Sequence, residues 1–157
     1  MVCYYLCGVK QCQDMFSKTC EYAIRAVILI AQKTADGSRI GIKEVAAGID
    51  SPEHFIAKIL QELSRKGIIQ SQKGPTGGFY LDAQSRKHTL ADVVHVIDGD
   101  QIFTGCGLGL KQCSEAKPCP LHNEFKKIRD AISKLLRSTH LGEFSEQLEQ
   151  KLVFLKR

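Results

Sequence analysis

Three cysteines and a histidine stand within residues 106 to 122, in the stretch CGLGLKQCSEAKPCPLH. Thiolates are soft ligands suited to iron-sulfur clusters and to zinc, and glycines between them let a loop wrap a cluster. Six residues separate Cys106 from Cys113, five separate Cys113 from Cys119, and His122 follows Cys119 by three. Zinc sites usually carry CxxC pairs, and this loop has none. The same thiols could instead run reversible disulfide or sulfenate chemistry. Cys106 or Cys119 with His122 is also the core of a nucleophile pair. No orienting carboxylate or oxyanion-hole signature accompanies it, and an enzyme is not expected.

Such a loop needs a scaffold. The 157 residues suffice for one domain with its own core, and 43% of them are hydrophobic and 25% charged. No apolar run approaches the roughly 20 residues of a spanning helix, so no membrane segment is expected. Seven cysteines, an odd number in irregular spacing, follow no secretory signal. The chain is therefore expected in a reducing cytoplasm, with thiols free or metal-bound. Residues 1 to 14, MVCYYLCGVKQCQD, lack periodicity and read as a disordered or mis-started extension that leaves Cys3, Cys7 and Cys12 outside the fold.

Charge is uneven. Residues 17 to 88 hold eleven Lys or Arg against seven Asp or Glu, whereas residues 89 to 157 hold ten against nine. A modestly basic first half suits a polyanion. Helical punctuation dominates it. Ser17 can cap a segment to Lys33 with Ala23, Ile24, Val27, Ile28 and Ala31 at helical spacing, and Asp36-Gly37 closes it with a turn. GIKEVAAGI fits a short second helix. Ser51-Pro52-Glu53 supplies an N-cap, a proline at the first helical position and an acidic first turn, and Lys66-Gly67 supplies the stop. Phe55, Ile56, Ile59, Leu60 and Leu63 form that third helix's apolar face, leaving His54, Ala57, Lys58 and Gln61 opposite. GIIQSQ and FYLD then read as strands of a hairpin turned by KGPTGG, with Lys73 and Thr76 in the turn.

Three helices and a basic hairpin make a winged helix-turn-helix. In such a module the second helix of the pair offers side chains to base edges in the major groove, while the hairpin grips phosphates. His54, Ala57, Lys58 and Gln61 are the expected readers, and Lys73 and Thr76 the expected wing contacts.

From Met15 onward the chain resembles the Rrf-two family (IscR- and NsrR-like) of winged helix-turn-helix transcription regulators. The residues that carry the likeness are EYAIRAVILIAQ, IKEVAAGI, HFIAKILQELSRKGIIQSQKGPTGGFYL and TLADVVHVIDG. Lys73 stands where the family usually has arginine, a point charge in place of a planar fork. The resemblance implies a mainly α fold with a small β-hairpin and a long dimerisation helix near the C-terminus. It also implies a homodimer that binds a double-stranded DNA operator. Residues 122 to 138 fit the long helix, with Phe125, Ile128, Ile132, Leu135 and Leu136 as its apolar stripe.

In cluster-binding members three cysteines occupy the loop before that helix, with a histidine three residues after the last. The resemblance thus implies a [2Fe-2S] cluster on Cys106, Cys113 and Cys119, although the interval from Cys106 to Cys113 is one residue longer than usual. His122 is the implied fourth ligand, and Glu21, where relatives carry an acidic ligand on the first helix donated across the dimer, is the alternative. The expected organisation is an extension at 1–14, a DNA-binding domain at 15–98, a cysteine-rich sensor loop at 99–121, and a dimerisation helix plus C-terminal helix at 122–157. The expected function is a dimeric regulator whose operator affinity is set by the cluster, or alternatively by cluster-free thiol redox chemistry.

Overall fold

Ser17 opens the first helix, α1 (Lys18–Lys33), by accepting a hydrogen bond on its Oγ from the amide of Cys20 at 3.0 Å. The computed structural model describes residues 15–144 and residue 155. The extension expected at 1–14 lies outside the described residues. So does the expected C-terminal helix, apart from a 3-10 turn at Leu141–Glu143. Burial on α1 is wider than the expected stripe: Cys20, Ala26, Leu29 and Ile30 are buried with Ala23, Val27 and Ala31, while Ile24 and Ile28 are only half-buried. The cause is that α1 packs against helices and hairpin on several sides rather than on one face.

The second and third helices, α2 (Ile42–Gly48) and α3 (Glu53–Arg65), form the helix-turn-helix. Ile56, Ile59, Leu60 and Leu63 of α3 are buried as expected, and Phe55 meets Tyr22 edge to face with ring centroids 5.4 Å apart. The start of α3 differs from expectation. Pro52, not Ser51, is the cap: its ψ of 133° is extended, and its carbonyl accepts from the amides of Phe55 and Ile56 at 3.1 and 3.2 Å. Ser51 is used in the turn between helices, its amide donating to the Ala46 carbonyl at 3.0 Å and its buried hydroxyl finding no hydrogen-bond partner among the described residues.

The wing pairs β1 (Gln70–Gln72) with β2 (Gly78–Tyr80) antiparallel, Ser71 opposite Phe79. Both strands are shorter than the sequence suggests. Gly67, with φ 78°, lets the amide of Ile68 donate back to Leu63 at 3.0 Å, so Gly67 ends α3 and Ile68 and Ile69 fill the core. The base of the wing is tight: Ile40 bridges Phe79, and a Cβ at Gly78 would come within 2.7 Å of the Ile40 carbonyl oxygen.

Helix α4 (Leu90–Asp98) begins with a capping box between Thr89 and Asp92. Its last residue, Asp98, accepts from the amide and hydroxyl of Ser17 at 2.9 and 2.5 Å, tying the ends of α1 and α4 together. One turn of helix, α5 (Gln101–Thr104), lies where the sequence suggests only loop. The long helix α6 (His122–Ser138) has the expected bounds. It seats Leu136 in an apolar cluster with Cys20, Ala91 and Val94. Phe125 and Ile132 are half-buried, whereas Ile128 and Leu135 stay 54% and 63% exposed. Among the described residues no helix is long and apolar enough to cross a membrane.

Candidate metal centre and nucleic-acid interface

The cysteine loop is fixed at both ends by α6. At its start, Arg129 Nη1 donates to the Gly105 carbonyl at 2.9 Å. Four residues earlier on the same face, the Phe125 ring packs so closely on Gly107 that a Cβ there would lie 2.5 Å from ring carbon. Cys106 sits between these two contacts. At the loop's end the His122 amide donates to the Cys119 carbonyl at 3.0 Å, joining the last cysteine to the first turn of α6. The exposed middle is held by a Ser114–Lys117 turn and an ion pair between Glu115 and Lys126.

This frame gathers the sulfurs of Cys106, Cys113 and Cys119 within 4.8 Å of one another. Cys106 and Cys119 Sγ are 3.8 Å apart, and Cys113 Sγ is 3.1 Å from Nδ1 of His122. The His122 ring is buried rather than displayed on the surface. Within the one chain Glu21 lies outside the group, its carboxylate accepting from Lys18 Nζ at 3.0 and 3.1 Å on the same turn of α1.

The thiols are electrostatically unequal. Backbone amides of Leu110 and Leu108 directed at its sulfur draw Cys106 down to about 7. For Cys113 the Cys119 amide favours the thiolate, but burial and the neighbouring sulfurs of Cys119 and Cys106 outweigh it and push the thiol up. Cys20 is the core residue its place in α1 suggests: burial, reinforced by the Asp98 carboxylate, pushes it up to about 12. A soft three-sulfur donor set with an imidazole beside it is chemically suited to a thiophilic metal or cluster.

The second candidate surface lies on the helix-turn-helix. His54, Lys58 and Gln61 are exposed on α3, with Ala57 half-buried between them, and Lys73 and Thr76 are exposed on the wing. A groove of about 700 Å³ runs between α3, the start of α2 and the wing. Gln61 and Lys73 line it, while His54, Ala57, Lys58 and Thr76 lie outside its lining. Lys43 and Arg65 line it too, although neither stands out in the sequence. Lys43 is exposed on α2, two residues before the buried Val45 and so on the side away from it. Its position beside the wing comes only from tertiary packing.

A winged helix-turn-helix followed by a three-thiol centre defines a DNA-binding transcription regulator. The chain belongs to the Rrf2 family, whose description, "Iron-dependent Transcriptional regulator", matches residues 16–147. It is therefore a regulator and not an enzyme. It is 29% identical over 142 residues to a protein named as an HTH-type transcriptional regulator in Aquifex aeolicus (strain VF5), covering 89% of this chain and 96% of that one. The fold matches CymR, the global cysteine regulator of B. subtilis, with a TM-score of 0.68 at 24% identity, covering 83% of this chain and 95% of that one. It also matches T. potens IscR with a TM-score of 0.64 at 19% identity, covering 93% of each chain.

In metal-free protein, iodoacetamide is expected to modify Cys106 first, with a rate that climbs as pH rises through about 7, and to leave Cys20 untouched until the fold opens. Peptide mass mapping across a pH series checks this. Equal labelling of the cysteines would contradict the ordering.

Proposed function

We propose that this regulator binds a double-stranded DNA operator as a homodimer in the cytoplasm, and that a [2Fe-2S] cluster on Cys106, Cys113 and Cys119 sets its affinity. The observation that carries the reading is the gathering of the three sulfurs within 4.8 Å, with a buried imidazole 3.1 Å from one of them. His122 is the fourth ligand of this proposal, oriented by its place in the first turn of α6. Glu21, engaged by Lys18, is the alternative. When bound, such a cluster supplies a one-electron couple and a reversible assembly equilibrium.

The chain's own residues transmit its state. Arg129 and Phe125 hold the backbone on either side of Cys106, so a change in the loop bears directly on α6. Leu136 joins α6 to Cys20 of α1 and Val94 of α4, and α1 packs against the reading helix α3. Two arrangements of α6 relative to this core, differently populated with and without the cluster, suffice to couple loop and DNA. On the DNA side, His54, Ala57, Lys58 and Gln61 face base edges, while Lys73 and Thr76 hold phosphates. Exposed Ile128 and Leu135 support the homodimer, because a second copy of α6 would cover them.

Cys106→Ala, Cys113→Ala and Cys119→Ala are each expected to abolish the sulfur-to-iron absorption bands of protein reconstituted with iron and sulfide under anaerobic conditions. His122→Ala should keep the bands and shift the reduction potential, and Glu21→Ala should be silent. The opposite pattern for the last two would move the fourth ligand to Glu21. Wild-type protein without colour or iron would overturn the cluster. For the assembly, Ile128→Glu combined with Leu135→Glu should yield monomers by light scattering. A dimer of normal stability in that double variant would contradict the proposed interface.

A further inference from the structure

The cluster proposal uses the three loop thiols only while iron is present, and the sulfurs are not equivalent without it. Cys113 Sγ is turned to the buried His122 ring, 3.1 Å from Nδ1. Cys106 and Cys119 face each other at 3.8 Å, both half-buried and so reachable by a small oxidant. Closing that gap to a disulfide of about 2.05 Å needs a shift of roughly 2 Å, within reach of side-chain rotation and a small loop adjustment. The intervening backbone can give: residues 108 to 112 are all exposed, and Gly109 turns with φ 69°.

We infer that the metal-free chain carries a second, redox chemistry at this place: a reversible disulfide between Cys106 and Cys119, formed by a hydroperoxide, with Cys113 left reduced. The inference rests on the cluster reading only in that the same sulfurs serve both. In the first step one thiol of the pair attacks the outer peroxide oxygen. The O–O bond breaks, the sulfur loses two electrons to become a sulfenic acid, and water or an alcohol leaves. In the second step the other thiol attacks that sulfur. The S–S bond forms, the S–O bond breaks, and the hydroxyl leaves with the thiol proton as water. Together the two thiols give up two electrons and two protons.

The product has a structural consequence. Cys106 follows the end of α5 by two residues, and Cys119 precedes the start of α6 by three. The bond would therefore staple the ends of these two helices to each other and remove two of the three thiolate ligands. Iron could be reloaded only after a thiol reductant returned the two electrons and two protons.

The test uses the full chain, stripped of metal by chelator and reductant, desalted, and treated with one equivalent of hydrogen peroxide. Remaining thiols are then blocked, and the chain is digested without reduction for peptide mapping. The expected result is a loss of two free thiols and two hydrogens, with Cys106 joined to Cys119 as the principal linkage, reversed by dithiothreitol and retained in Cys113→Ala. A principal linkage through Cys113, Cys3, Cys7, Cys12 or Cys20 would overturn the inference, as would sulfinic acid on Cys106 with no disulfide. No iron enters this assay, so its failure leaves the cluster reading standing. Protein that forms this disulfide yet stays colourless on reconstitution would fail the cluster reading alone.

Discussion

The hydrogen bond from Arg129 to the Gly105 carbonyl is the contact on which the thiol centre depends, because it fixes the backbone one residue before Cys106. Without it the start of the loop would lose its hydrogen bond to α6 and keep the packing of Phe125 on Gly107. The Phe125 ring on Gly107 completes the clamp, and it requires glycine there because a Cβ would overlap the ring. Both contacts come from one face of one helix. The geometry of the sulfurs is thereby made a property of α6, the same helix that leaves Ile128 and Leu135 uncovered.

Charge sets the second constraint. Three thiols within 4.8 Å cannot all ionise in the absence of a cation, since each thiolate raises the cost of the next. The amides around Cys106 select it as the thiolate, while its neighbours push Cys113 the other way. Loading a cation or cluster must release the remaining protons, so metal affinity and pH are linked at this site. Binding should weaken as pH falls.

Much of this was legible in the sequence, and the failures have physical causes. The Ser17 cap of α1, the apolar spacing and glycine stop of α3, the GPTGG turn and the bounds of α6 are local signals, read from a few neighbouring residues, and the structure carries each of them. Ser51 reads as a cap because its type is right, but its amide is spent on Ala46 and Pro52 takes the role. The first strand reads longer in the sequence than it is, because Ile68 and Ile69 look like strand residues, whereas they plug the core behind Gly67. The cysteine spacing announced a soft-ligand site, yet the burial of His122 and the parts played by Arg129 and Phe125 are tertiary facts. Lys43 meets the wing groove for the same reason: no spacing places the start of α2 beside residues thirty positions later.

The central claim is that the state of the thiol centre changes affinity for DNA. Its most direct test begins by selecting a high-affinity duplex from a random pool. Binding of that duplex is then measured at one fixed salt concentration with iron-and-sulfide-loaded protein and with the same protein made metal-free and kept reduced. The account predicts affinities that differ by about tenfold or more, a coupling free energy of about 1.4 kcal/mol or above. Equal affinities, with both forms folded and in the same oligomeric state, would contradict it.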